Sequence, residues 1–338
     1  MYYNNHDVKI VDQPIPTLNK GEMLVKTKDC GVCVSDTMEW YLIPRSPLPR
    51  GHEVTGVVEA VSDDIKNFKV GDRVVVHHHA ACLVCDKCLK GNFTLCDSFK
   101  KSNIFPGGFA EYFVVPNDIL RTDTHILPDQ IDFRTGTLVE PLACVIHALH
   151  KAKIQPKDKV VLIGTGLMGM MFIKMLQIWG VADLAVYEIL EWRRMMARKF
   201  GAQNVFSPSN DIGEESQRIK NLFGGIEASK VIIATKDLRA MEFGINVVGA
   251  GGTVLFFATP EPQDWIKLYP IHFFFNEIAL TASYSANHFD IQESLDVLKS
   301  GAIKSKDLIT HIYPIEEVSA AILQTISREK SLKCLVEL

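Results

Sequence analysis

Four cysteines within fifteen residues, at positions 82, 85, 88 and 96, constrain this chain more tightly than any other stretch of it. In CLVCDKCLKGNFTLC the spacing is C-x2-C-x2-C-x7-C. Two-residue gaps let neighbouring thiolates converge on one point. The longer gap, which contains Gly91, lets the chain turn back and close the cage. Four soft thiolates form a closed tetrahedral set that suits structural zinc and leaves no position for water or substrate. Disulfides in an oxidising compartment are the competing reading, but eight cysteines in a chain of 338 residues fit a reducing compartment with metal sites better. Any reactive metal must then sit outside Cys82, Cys85, Cys88 and Cys96.

A chain of this length has room for about two domains. A formal net charge of -4 gives no electrostatic reason to expect nucleic acid or an anionic membrane as partner. The start, MYYNNHDVKI, has no basic segment followed by an apolar core. The longest apolar run, around VVLIGTGLMGMMFI, is too short and glycine-rich to span a bilayer. A cytoplasmic location is expected.

To about residue 145 the pattern is β-rich, with short runs such as EMLVKT, VTGVVEAV and DRVVVHH between turn signals. From about Lys157, apolar runs KVVLIG, DLAVYE, KVIIAT and GTVLFFA alternate with helical stretches such as LMGMMFIKMLQIWG and EWRRMMARKFGA. This alternation predicts an α/β fold with a parallel, doubly wound sheet. Near the end, IQESLDVLKSGAI and EEVSAAILQTI predict two amphipathic helices, and KCLVEL a closing strand.

The strand KVVLIG runs into Gly164-Thr165-Gly166-Leu167-Met168-Gly169 and then into a helix, the context that gives a GxGxxG match its meaning. Gly164 permits the tight turn, Gly166 the approach of a pyrophosphate, and Gly169 close helix–strand packing. The helix start at Leu167 and Met168 offers N–H groups and a positive dipole end to phosphates. The next strand ends at Glu188, where a carboxylate accepts hydrogen bonds from ribose hydroxyls and repels a 2′-phosphate. NAD is therefore expected rather than NADP. Arg193 and Arg194 follow on the next helix, as solvated residues, as a cover for the adenine, or within reach of a phosphate.

Candidates for a second, reactive metal are Cys33 in CGVCVSD, His52 and Glu53 in PRGHEVTG, and Glu140 in LVEPLACVIHAL. A thiolate, an imidazole and a carboxylate make a mixed set that can leave one position open. The triple His77-His78-His79 reads as a strand end entering the cysteine lobe rather than as another metal site.

With GVCVSD, GHEVTGVV, the four-cysteine lobe, GGFAEYFVVP, the EPLA segment, the dinucleotide fingerprint and GAIKSKDLITHIYPIEEV, nearly the whole chain resembles the zinc-containing medium-chain dehydrogenases, especially the sorbitol and threonine dehydrogenase branch. The resemblance implies a GroES-like catalytic domain at 1–148 and 286–338, interrupted by a Rossmann domain at 149–285. It implies two zincs, one structural and one catalytic, and NAD. Cys33 and His52 carry over as catalytic metal ligands, with Glu53 and Glu140 competing for the third place. A glutamate in the EPL segment resembles the polyol branch. Ser35 resembles the hydroxyl that hydrogen-bonds the substrate oxygen and begins proton release. The implied reaction moves a hydride between a secondary alcohol, polyol or cyclitol and the nicotinamide. The implied assembly is a homo-oligomer, dimer or tetramer.

Val34 stands where the family usually has glycine, and Met38 where it has a histidine, so no proton relay runs through that position. The N-terminus is a few residues short of the usual first strand. Glu39, Trp40, Tyr41, Arg45, Phe105 and Phe109 are candidate substrate neighbours. Threonine oxidation, or oxidation of a sugar-alcohol phosphate read by Arg45 or Arg50, uses the same scaffold. A zinc- and nucleotide-binding protein without catalysis is the reading from another class.

Overall fold

Strand Met23–Val32 is buried along most of its length because it has neighbours on both edges. One edge takes Glu53–Val61. The other is divided, with Tyr112–Val115 pairing Met23–Lys26 and Lys333–Glu337 pairing Asp29–Val32. In this computed structural model, which describes residues 1–338, the sheet runs Ile309–Pro314, Lys333–Glu337, Met23–Val32, Glu53–Val61, Arg73–His77 and Thr124–Ile126. All pairs are antiparallel except the first, whose parallel crossover is helix Val318–Ser327. That helix buries Val318, Ala321 and Ile322 against Val32, Leu42 and Tyr2. A second cluster of the same unit buries Val25, Val54, Val74, Val76 and Phe113. The sheet belongs to a unit made of Met1–Ala143 and Ala286–Leu338.

The second unit, Cys144–Ser285, is built on six parallel strands in the order Asn204–Phe206, Asp183–Tyr187, Lys159–Ile163, Ala228–Ile233, Val248–Phe256, Ala279–Ala282. The order reverses between Lys159–Ile163 and Ala228–Ile233, the switch point where doubly wound sheets bind nucleotides. Continuous apolar runs such as Val160–Ile163 are buried, as expected of strands covered on both faces. Helix Leu167–Ile178 buries Met170, Met171, Phe172 and Ile173 in succession, so it packs on more than one face. This is the α/β class expected from the sequence. The short edge strand Ala279–Ala282 was not foreseen. No helix is long and apolar enough to cross a membrane.

Asp29, on the central strand, is 5% exposed and its Oδ1 has no hydrogen-bond partner. Burial pushes its pKa up from 3.8 to about 7, with Arg134 opposing and Glu337 reinforcing the shift. A raised folded-state pKa means that stability is whole below the unfolded value and is lost as pH rises through the folded one. Asp29→Asn should therefore stabilise the fold by about 1–3 kcal/mol at pH 8 and by nothing at pH 4. Urea midpoints at the two pH values check this; an equal gain at both would refute it.

Candidate metal centres and nucleotide loop

Backbone turns bring the four lobe cysteines together. Cys82–Cys96 and Cys85–Cys88 Sγ pairs lie 3.6 Å apart, and Cys82–Cys88 lies at 4.0 Å. A tetrahedron with zinc–sulfur bonds of about 2.3 Å has edges of about 3.8 Å. The sulfurs thus stand at zinc-site spacing and far outside disulfide length, and all eight cysteines of the chain are free. Burial and the neighbouring Cys85 push Cys88 up to about 12. At Cys96, burial is outweighed by N–H groups of Cys82, Phe99 and Ser98, which bring it down to about 6. A divalent cation among the sulfurs removes this conflict by favouring all four thiolates.

A second group forms where strands of the first sheet end. Gly31 pairs with Glu53, and Glu53 with His77. This register sets Cys33, His52 and Glu53 side by side, with their ligand atoms within 4.8 Å of one another. Gly31 is required there, since a Cβ would lie 1.9 Å from Glu53 Oε2. Asp36, fully buried, accepts from the Cys33 backbone N–H at 3.0 Å and from Arg50 Nη2. It also stands 3.6 Å from His52 Nδ1. Burial alone would lower the His52 pKa, but the Asp36 carboxylate holds it well above the usual range. With Nδ1 turned to Asp36, Nε2 is the nitrogen left for a metal.

Lys333 reaches this group from the last strand. Its Nζ donates to Glu53 Oε1 at 2.7 Å, to Glu53 Oε2 and to Val32 O at 3.1 Å, with both side chains about 2% exposed or less. Burial pushes the Glu53 carboxyl up and Lys333 pulls against it. Burial likewise opposes the ammonium, which Glu53 and Cys33 nevertheless hold above its ordinary range. With both carboxylate oxygens accepting from one ammonium, the charged pair is the state the geometry favours.

Glu140, expected to compete with Glu53 for one metal, lines one space with Glu53, and its carboxylate also groups with His77 and His78. Ser35 lies in the short 3-10 turn Val34–Thr37 directly after Cys33, partly exposed. Arg50 donates to Asp36 and to the Ser35 carbonyl, and Arg45 stacks 3.9 Å over the Tyr41 ring. Both arginines thus have partners within the fold. Trp40 and Tyr41 are exposed on helix Glu39–Leu42, Phe105 is exposed, and Phe109 packs against two core clusters.

In the second unit, Gly164 has φ +93°, open to glycine at little cost. A Cβ on Gly169 would meet Gly164 O at 2.2 Å, so helix and turn are in close contact. Gly166 is different. A Cβ there would meet only the Arg193 guanidinium, at 3.7 Å, so packing does not demand glycine and the space suits a pyrophosphate. The first-turn N–H groups at Leu167 and Met168 have no intrahelical acceptor. Glu188 accepts from Thr165 N at 2.8 Å, Thr165 Oγ1 at 3.1 Å and Leu190 N at 2.9 Å, which ties the strand end to the glycine turn. Arg194 is held by the carbonyls of Glu188 and Ile189.

Residues 19–125 match the alcohol dehydrogenase GroES-like domain, and residues 168–300 match the zinc-binding dehydrogenase domain. The chain belongs to the zinc-containing medium-chain dehydrogenases. A medium-chain dehydrogenase of this kind is an oxidoreductase of alcohol groups that uses zinc and a nicotinamide dinucleotide. Among similar proteins of this family is the probable D-xylulose reductase A of Aspergillus fumigatus, 28% identical over 98% of this chain and 94% of that one. D-arabinitol dehydrogenase 1 of Uromyces fabae is 29% identical over 97% and 94%. An oxidoreductase of unknown specificity from Escherichia coli superposes with a TM-score of 0.86 at 25% identity, covering 99% of this chain and 97% of its own.

Sequence reasoning missed three parts of this dehydrogenase. Asp36 was visible within the CGVCVSD run, but an aspartate three residues after a cysteine announces no role. Lys333 lies 280 residues from Glu53, and no local pattern joins them. The third is the place of His77 and His78 beside Glu140, which reading the triple as a strand end passed over.

Proposed function

We propose that this dehydrogenase oxidises a secondary alcohol of a polyol or cyclitol with NAD, and reduces the corresponding ketone in reverse. The observation that carries the reading is the convergence of Cys33, His52 and Glu53, a mixed thiolate, imidazole and carboxylate set of the open, catalytic kind. The full-length similarity to a D-xylulose reductase and a D-arabinitol dehydrogenase supports the substrate class. Zinc held by these residues would supply Lewis acidity at the substrate hydroxyl. Around it, Asp36 orients His52 and Lys333 sets the position of Glu53, while Ser35 would hydrogen-bond the substrate hydroxyl and begin its proton release, giving up its own proton toward solvent as it accepts that of the substrate. Gly164, Gly166, Leu167, Met168 and Gly169 hold the pyrophosphate, with Arg193 beside Gly166 and Glu188 at the ribose. The partners of Arg45 and Arg50 leave less support for a phosphorylated substrate. Eight free cysteines fit a cytoplasmic location.

A homo-oligomer is part of the proposal. Strand Ala279–Ala282 lies at the sheet edge with Leu280 exposed, next in the chain to exposed Ile271, Phe274 and Phe275. An open edge with an apolar flank favours pairing with a second copy.

A panel of polyols, cyclitols, sugar phosphates and threonine, followed as NADH absorbance, tests the substrate class. Turnover with several polyols is expected; turnover confined to threonine would sink it. For the cofactor, Glu188→Ser should reduce the preference for NAD over NADP in kcat/KM by about 10–100-fold, the worth of hydrogen bonds to a charged group. A wild-type enzyme already faster with NADP at equal concentration would refute the role of Glu188.

A further inference from the structure

His77 ends strand Arg73–His77 and His78 follows it, and a ring nitrogen of each lies with a Glu140 carboxylate oxygen inside a 4.8 Å cluster. His77 Nδ1 is 2.8 Å from Asp123 Oδ1, with both side chains at most 2% exposed. Asp123 is itself positioned, since Thr122 Oγ1 donates to its other oxygen at 2.6 Å and its carbonyl accepts from His77 N at 2.9 Å. A carboxylate at Nδ1 places the ring proton there and leaves the lone pair on Nε2. That Nε2 is buried without a hydrogen-bond partner, and so is His78 Nδ1. Glu53, His77 and Glu140 line one narrow internal space.

Two buried, unpartnered imidazole nitrogens each cost about 1–3 kcal/mol, a cost that a ligand accepting their lone pairs would offset. Two imidazoles and a carboxylate are the donor set of a zinc-type divalent ion. The Asp123–His77 pair supplies the outer carboxylate that metal-bound histidines usually have. We propose that His77, His78 and Glu140 form a further metal seat that binds its own divalent ion, beside the Cys33–His52–Glu53 seat and distinct from it. The close rings of His52 and His78, with centroids 4.7 Å apart, make the two seats neighbours. Glu53 groups with Cys33 and His52, and Glu140 with His77 and His78.

The proposal is read by metal content, so it does not depend on which alcohol is oxidised. The full-length chain is equilibrated with zinc, freed of excess by gel filtration, and counted by native mass spectrometry. Wild type should carry three ions, His78→Gln two, Cys33→Ala two, and the double variant one. His78 is the variant of choice because His77→Gln also breaks the bond to Asp123. Retention of the four-cysteine ion in every variant shows that the lobe is still folded. In cobalt-loaded protein, the His78→Gln difference spectrum should lack thiolate-to-metal charge transfer, whereas the Cys33→Ala difference should contain it. Two ions in the wild type, or a count unchanged by His78→Gln, overturns the proposal.

Discussion

Cys33→Ala should lower turnover with every alcohol by at least about a thousandfold while leaving the fold and NADH binding in place. Lewis-acid stabilisation is worth several kcal/mol at the transition state, and each 1.36 kcal/mol is about tenfold in rate. His52→Ala should behave alike, because Cys33 and His52 stand in one seat with Glu53. Cys85→Ser makes the contrasting experiment. Its sulfur is 3.6 Å from Cys88 in a closed set that ties Ala81, Cys88, Cys96 and Phe99 into a small core of its own. Losing that ion should loosen the lobe and lower the melting temperature, with activity per folded molecule much less affected. Each variant should carry one ion fewer than wild type. A Cys33→Ala enzyme that turns over polyols at a tenth of the wild-type rate would remove the catalytic role of this seat.

In protein stripped of its exchangeable metal, Lys333→Met should cost about 3–5 kcal/mol of stability, because it strands the Glu53 carboxylate in the interior without its ammonium. Adding Glu53→Gln should recover much of that loss, since removing both charges of a buried pair is far cheaper than removing one. The Lys333 pKa is raised, so its contribution is complete below the ordinary lysine range and is lost only as pH climbs through the higher folded value. The Lys333→Met deficit should therefore be flat between pH 7 and 9 in chemical denaturation. A double variant no more stable than Lys333→Met would show that the pair is not what Lys333 contributes.

What could be read from the chain in advance was what is local in it. The four cysteines lie within one loop, and Gly164–Gly169 joins its strand to its helix without a break, so spacing alone carried the chemistry. The alternating strands and helices from Lys159 onward gave the doubly wound sheet because each apolar run was bounded by its own turn. Strand Ala279–Ala282 escaped notice since four small or half-exposed residues have no hydrophobic period. The reactive seat was legible only as a list of candidates, because Cys33 follows one strand while Glu53 and Lys333 begin two others, and no single segment encodes their register.

The pairing of Glu53 with Lys333 gives the two metal-binding regions different timetables during synthesis. The cysteine lobe is complete once residue 96 has been made, and it can take up its ion while most of the chain is still to come. Lys333 follows Glu53 by 280 residues, which at about 5–20 residues per second is roughly 14–56 s. Through that interval Glu53 lacks its counter-ion, and the adjoining strand Met23–Val32 lacks its neighbour Lys333–Glu337. A nascent chain can thus be loaded with structural metal long before it has a settled place for the reactive one, and only the finished polypeptide is ready for its chemistry.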